Sequence, residues 1–299
     1  MRFDWTYRGA EPIEIRRFLL DLDLPRRFVA NVKAHGGVRL NDQFATVRYA
    51  IHPGDRLTLL APDEEGHDTV PASDLPIEVV YEDRDLLVVN KPSDCVSIPS
   101  VQCPDISMAN RVKGYYQRQG YADQVIHIVT RLDRDTSGLM LLAKHRLAHA
   151  LLDRQLRAGR IHKFYQAISS RSDWEARGFI DAPIARSKDS LITRRVHPSG
   201  KSAQTEWWLE ESLKESALLR LQLHTGRTHQ IRVHLAHQGG PLVGDDLYGG
   251  PLYPKLNRQA LHCCRLVLEQ PFTGQAMDIQ LSLPEDMQAW VDQDRIKEN

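Results

Sequence analysis

Apolar and polar residues change their spacing several times along the chain, and each change predicts an element. Residues 3–8 alternate, with Phe3, Trp5 and Tyr7 in one register, the period of an edge strand. From Ile13 the spacing becomes helical. Ile13, Phe18, Leu19 and Leu22 predict one helix, and Phe28, Val29 and Val32 a second that Gly36 and Gly37 close. VRLNDQFA then reads as a strand entering an Asn-Asp turn, and HPGDRLTLLAP as a turn followed by a strand. The acidic, polar stretch DEEGHDTVPAS predicts a linker. The expected organisation is a small domain over residues 1–62, a linker over 63–75 and a larger domain over 76–299.

The larger part opens with two apolar runs around EDRD, a β-hairpin pattern. A helix is predicted over 106–119, ended by Gly120. Apolar runs at 126–129 and 139–143 flank a polar loop, 130–138, and predict two strands joined by a functional turn. Leu147, Ala148, Leu151, Leu152 and Leu156 form the stripe of an amphipathic helix stopped by Gly159. RIHKFYQAIS alternates again, as do Leu219, Leu221 and Leu223. After a tight turn at 224–227, Thr228 is expected to cap a short helix ending at Gly239. Hairpins and helices follow one another irregularly. That order predicts an α+β fold with a mixed, mainly antiparallel sheet, not a doubly wound parallel one.

Composition narrows the class. The chain has 299 residues, 41% of them hydrophobic, which suits a folded protein of one large or two modest domains. Lys+Arg and Asp+Glu are equal at 39 each, so only local clustering can argue for a polyanion partner. Arg154, Arg157, Arg160 and Lys163 form one cluster, and Arg16, Arg17, Arg26, Arg27, Lys33 and Arg39 another. Four cysteines without a C-x-x-C pair predict reduced thiols and neither a disulfide framework nor a zinc pair. No apolar run approaches the ~20 residues that span a bilayer, and the first residues lack the apolar core of a signal peptide. A cytoplasmic protein is expected, with no membrane partner.

Chemistry concentrates in the loop RLDRDTSG. Asp133 stands between Arg131 and Arg134, and neighbouring cations favour the ionised form of a carboxylate. That suits a nucleophile or a base more than a general acid. Taken alone, such a loop is more often a charged, solvated surface hairpin. It resembles, however, the signature H-R-L-D-x-x-T-S/T-G of the RluA-type pseudouridine synthases, with Thr130 in place of the leading His. The resemblance continues. Asn90-Lys91-Pro92 matches the start of N-K-P-x-G, with Asp94 in place of the glycine and Lys91 read as a surface lysine or an RNA contact. Lys163, Tyr165 and Ala167 match K-x-Y-x-A. DAPI and GKSAQT match D-x-P-I…G-K-x-A-x-T, and LHTGRTHQIRVH is nearly letter for letter the family's L-x-T-G-R-T-H-Q-I-R-V-H. With the closing strands it extends over residues 76–287.

The resemblance implies isomerisation of uridine to pseudouridine in structured RNA, most of all 23S ribosomal RNA, with transfer RNA as the alternative. It implies no cofactor, no metal and a monomer. Asp133 is then the catalytic residue, Arg232 its basic partner, Tyr165 the ring that stacks on the target base and Ile231 an apolar wall. Arg131 fills the place the flipped base vacates, and Arg227 is a further active-site or phosphate contact. Gly37-Val38-Arg39-Leu40-Asn41 and Gly54-Asp55 resemble the ribosomal protein S-four-like RNA-binding domain, which implies that Arg26, Arg27, Lys33 and Arg39 contact RNA. Arg154, Arg157, Arg160 and Lys163 are expected to do the same through phosphates, with Arg194, Arg195 and Lys201 as further candidates.

Three other readings compete with this one. A non-catalytic RNA-binding or ribosome-assembly protein would keep the fold without the reaction. A glycosidase needs two paired acids, and Asp135 is a poor partner for Asp133 at two residues' distance. A zinc site among His224, His229, His234 and His237 lacks both H-E-x-x-H and a carboxylate at ligand spacing.

Overall fold

The computed structural model describes residues 1–64, 70–100, 103–187, 190 and 192–295. Its first unit is a four-stranded antiparallel sheet in the order Arg2–Thr6, Arg56–Leu60, Val38–Leu40, Gln43–Phe44. The alternating first strand lies at the edge, as its pattern predicts. The Val38–Leu40 and Gln43–Phe44 strands turn on Asn41 (φ 49°) and Asp42 (φ 67°). A two-residue hairpin turn of type I′ needs positive φ at both central positions, and Asn and Asp tolerate it best after glycine. Helices Ile15–Asp21 and Arg26–Ala34 pack Ile15, Leu19, Phe28 and Val32 against Phe3, Val38, Leu57 and Leu59.

This unit is seated on the rest of the molecule by apolar contact. Leu147 of helix Arg146–Arg157 belongs to the same buried cluster. Phe3 stacks on Phe272 with ring centres 5.6 Å apart, and the Arg84 guanidinium lies over both rings. Arg154 pairs with Asp23 across the same boundary. The stretch expected as a linker begins anchored: Glu64 accepts from the Arg146 amide at 2.6 Å and meets His127 Nε2 at 3.0 Å. Residues 65–69 of that stretch lie outside the described residues.

The larger body is built on ten strands. Eight run in the order Arg177–Asp181, Gln204–Ser212, Ala217–Leu223, His162–Ser169, Leu261–Glu269, Ser137–Ala143, Leu86–Lys91, Glu78–Glu82. Ala276–Gln280 pairs with Leu261–Glu269, and His127–Ile128 with Ser137–Ala143. Every pairing is antiparallel except one: Ser137–Ala143 meets Leu261–Glu269 in parallel through Ser137↔His262 and Gly138↔Cys263. The sheet is therefore mixed and mainly antiparallel, as expected.

That parallel junction explains the glycine of the loop motif. Gly138 has φ +112°, and a Cβ there would sit 2.3 Å from the Cys263 carbonyl oxygen. Only glycine lets the two strands close, and their closure fixes where the loop begins. The Ser137–Ala143 strand is buried along its whole length. Leu139, Leu141 and Ala143 face the main core, while Met140 and Leu142 pack beneath helix Met108–Gln119. Cover on both faces accounts for an unbroken apolar run where a half-exposed strand would alternate. Among the described residues no helix is long and apolar enough to cross a membrane.

Candidate active site

The 130–136 loop crosses the end of the central strands and is held from several sides. Thr130 is buried, and its hydroxyl accepts from the Leu141 amide at 2.9 Å. Threonine at the departure from the motif thus ties the loop to the strand that follows it. Ser97 Oγ donates to the Leu132 carbonyl at 2.8 Å, and the Leu132 amide lies 3.1 Å from the same oxygen. Lys91 corrects its sequence reading. It is no surface residue but fully buried, and Nζ donates to the carbonyls of Pro92 (2.8 Å), Cys95 (2.6 Å) and Arg134 (2.8 Å). Three donors meet three acceptors, which is how a buried ammonium is accommodated. Burial lowers its pKa to about 8.

Asp133 is presented at the apex, with 28% of its side chain facing open space. The flanking arginines do not pair with it. Arg134 turns to Asp135 (3.1 Å) and Asp94 (3.8 Å), and Arg131 is exposed. The cation that faces Asp133 is Arg232, with Nη1 3.9 Å from Oδ2. The expectation of a readily ionised carboxyl is also corrected. The surrounding protein desolvates Asp133 and raises its pKa, an effect that Arg232 and Lys91 oppose without cancelling. Adjacent residues of a loop point apart, so neighbours in sequence were the wrong neighbours.

Arg232 is delivered by helix Gln230–His237. Thr228 does not cap this helix. The N-cap is His229, in the left-handed region (φ 56°), without a side-chain cap bond. The Gln230 carboxamide closes the turn instead. It accepts from Thr225 Oγ1 (2.8 Å) and the Arg227 amide (3.0 Å), and it donates to the Gln204 carbonyl (2.9 Å). Asp245, fully buried, holds the guanidinium by two bonds of 2.7 Å, from Nε and Nη2. Tyr248 lies under it, ring centre 5.0 Å from Cζ, and its hydroxyl meets His229 Nδ1 at 2.8 Å. Burial, with Arg232 close by, lowers the His229 pKa to about 4 and keeps the ring neutral. Neither Asp245 nor Tyr248 was singled out from sequence. Both belong to a Gly-Asp-Asp-Leu-Tyr stretch whose only local signal is a turn.

These groups open into a cleft of about 1060 Å³ whose lining includes Arg131, Asp133, Tyr165, Arg227, Ile231 and Arg232. The structure therefore brings together all six residues expected at the centre. Tyr165 is buried at the floor, where burial raises its phenol pKa well above the ordinary value and keeps it neutral. Arg157 and Lys163 also line the cleft, and burial lowers the Lys163 pKa. Arg157 also pairs with Asp153. The remaining candidates stand elsewhere, Arg154 paired with Asp23 and Arg160 with Glu269. Arg26, Arg27 and Lys33 are exposed on the first unit, while Arg39 donates to the carbonyls of Gly36 and Val38. The histidines disperse: His224 meets Glu206, His229 Tyr248, and His234 both Thr205 and Ala182. Among the described residues no group of three His, Cys, Asp or Glu could hold a metal. Asp135 is engaged by Arg134 and does not line the cleft.

The arrangement is a carboxylate with one facing cation, an aromatic floor, an apolar wall and a cationic rim. It can hold a flat polar ring beside an oxygen nucleophile or base, within reach of polyanion contacts.

Comparison with known proteins agrees with that chemistry. Residues 85–237 match the family model described as RNA pseudouridylate synthase. An uncharacterized RNA pseudouridine synthase of Bacillus subtilis, YjbO, is 39% identical over 274 residues, 91% of this chain and 96% of the relative. The ribosomal large subunit pseudouridine synthase D of Haemophilus influenzae is 37% identical, covering 83% of this chain and 80% of its own. Among solved structures, human RNA pseudouridylate synthase domain containing 1 aligns with a TM-score of 0.57 at 26% identity, over 71% of this chain and 85% of its own. Human RNA pseudouridylate synthase domain containing 4 shares the fold, with a TM-score of 0.59 at 23% identity over 72% and 92%.

Proposed function

The chain belongs to the RNA pseudouridylate synthase family, and from that premise we propose that it isomerises specific uridines of ribosomal RNA with Asp133 as the catalytic carboxylate. The enzyme is an isomerase. The bond from ribose C1′ to N1 of the base breaks, the base rotates and C1′ joins C5. The C5 proton leaves and N1 gains one, so nothing is oxidised or reduced. One carboxylate suffices, as nucleophile at the ribose or as base. The observation that carries the assignment is Asp133 facing Arg232 at 3.9 Å on the floor of a cleft that Tyr165 also lines.

The target base must leave its stack, at a cost of a few kcal/mol. Tyr165 stacks on the flipped ring, Ile231 walls it, and Arg131 occupies the vacated position. Arg227 and Lys163 stand where the strand enters. The first unit, proposed as an S-four-like RNA-binding domain, adds affinity through Arg26, Arg27 and Lys33. These are exposed on the helix whose opposite side is anchored by Phe28 and Val32. The names of several relatives as ribosomal large subunit synthases support ribosomal RNA as substrate. Tritium release from ribosomal and transfer RNA pools labelled at uridine C5, assayed separately, tests this. Release from the ribosomal pool is expected, and release from transfer RNA alone would overturn the substrate assignment.

A further inference from the structure

We propose that His229 is a catalytic hydrogen-bond donor for the isomerisation, its neutral Nε2–H directed at carbonyl O2 of the flipped uracil. This rests on the function proposed above and adds a residue to its chemistry. His229 lines the catalytic cleft together with Ile231 and Arg232. It is the N-cap of helix Gln230–His237, and Arg232 follows three positions on, about one turn along the same side. The Tyr248 ring touches both. It lies under the Arg232 guanidinium and edge-on to the imidazole, with ring centres 5.7 Å apart. Arg232 in turn faces Asp133, so the imidazole stands at the end of the cleft where the ribose is attacked.

The hydrogen bonds assign the ring's proton. Tyr248 Oη accepts from the Arg194 amide at 3.0 Å and lies 2.8 Å from His229 Nδ1. Among the described residues, Nδ1 is the acceptor within reach of the phenol hydrogen, so the phenol donates and Nδ1 accepts. A neutral imidazole that accepts at Nδ1 carries its proton at Nε2. Burial and the nearby Arg232 lower the pKa of the ring to about 4, which keeps it neutral. Among the described residues Nε2 has no hydrogen-bond partner, and it is not buried. The ring's open donor therefore faces the cleft that the ring lines. The backbone at His229 is left-handed, with φ 56°. Non-glycine residues are uncommon there, and such conformations gather at active sites.

The reaction needs a donor of this kind. When the bond from C1′ to N1 breaks, its electron pair passes to the base, and the negative charge spreads from N1 onto O2 and O4. O2 is carried by the carbon next to N1 and lies beside the breaking bond. A fixed N–H aimed at O2 binds more strongly as that charge grows, and a donor placed where charge develops lowers the barrier. A neutral imidazole suffices for this polarisation. The donor keeps its proton throughout. C5 then joins C1′, the C5 proton leaves and N1 gains one, and the imidazole ends as it began.

His229→Asn separates this role from packing. Asparagine accepts a left-handed backbone, and its Oδ1 stands where Nδ1 does, so the Tyr248 bond is kept while the donor at Nε2 is lost. The variant should melt with wild type. Its kcat for tritium release from ribosomal RNA should fall by about 10²- to 10³-fold, with KM unchanged. If the variant melts early, His229→Gly, which takes the same backbone, replaces it in the comparison. Ribosomal RNA transcribed with 2-thiouridine tritiated at C5 identifies the atom, because sulfur at C2 accepts hydrogen bonds weakly. Wild type loses rate on that substrate and the variant loses little more, so the two losses are not additive. Additive losses overturn the proposal. So does a variant that keeps kcat, or one in which only KM rises, the mark of a contact already complete in the ground state. Wild-type protein that binds RNA but releases no tritium would instead overturn the function on which the proposal rests.

Discussion

Nη1 of Arg232 lies 3.9 Å from Oδ2 of Asp133, too far for a hydrogen bond and close enough for Coulomb attraction. The reason is Asp245, which takes Nε and Nη2 at 2.7 Å each. One guanidinium therefore serves two carboxylates. It is locked by the fully buried one and only leans toward the half-buried one. Asp133 is left without a hydrogen bond from Arg232 while a positive charge still steadies it.

Asp245→Asn tests this division. The lock loosens, Arg232 moves off its bearing, and kcat falls by about a hundredfold, the scale of a misplacement near 1 Å. Asp245 also raises the pKa of Asp133 by repulsion. Arg232 lowers it more strongly, so with Arg232 displaced the acid limb of kcat/KM moves to higher pH in the variant. A pH–rate profile reads both effects, and an unchanged limb would show that Asp245 only packs.

Asp133 itself has a stability signature. Its folded pKa is raised, so its favourable contribution exists below the unfolded carboxylate value of about 3.9 and is lost as pH rises through the folded value. At pH 7 the ionised group strains the fold. Asp133→Asn should melt no lower than wild type at pH 7, and slightly higher. The difference should vanish when both proteins are melted at a pH where the acid is protonated. A marked loss of stability at pH 7 would contradict the desolvation of Asp133.

Lys91 holds the loop through three carbonyls on two segments, at Pro92, Cys95 and Arg134. Lys91→Met removes every donor and leaves the acceptors buried. Denaturant unfolding should show a loss on the order of 3 kcal/mol, and kcat should drop because the Asp133 loop is no longer fixed.

Tyr165 is proposed to act through its ring, not its hydroxyl. Tyr165→Phe should keep kcat within a fewfold, whereas Tyr165→Ala should lose roughly 10- to 100-fold, the worth of one base stack. Equal losses in the two variants would point to the hydroxyl instead.

The strands, helices and local hairpins were largely legible, because burial on one face or two leaves periods that composition cannot hide. The unbroken run 139–143 reads correctly once both its faces are covered, by the main core and by helix Met108–Gln119. The motif residues converge as their resemblance implied. What sequence missed were partners supplied from a distance. Asp245 stands 13 positions from Arg232, and its role depends on a fold that no local pattern encodes. Lys91 looked like an exposed lysine because nothing local announces three carbonyls gathered 1, 4 and 43 residues away. The ionisation of Asp133 was misjudged for the same reason: sequence shows charge neighbours but not desolvation.

The central claim is that Asp133 carries the isomerisation, and the most direct measurement is tritium release from ribosomal RNA labelled at uridine C5 by wild type and Asp133→Asn, with RNA binding measured in parallel. Rearrangement to a C5 glycosidic bond must expel that tritium. Release by wild type, and none by a variant that still binds RNA, is the predicted result. Equal release by both proteins would contradict the assignment of the carboxylate, and no release by either would contradict the reaction itself.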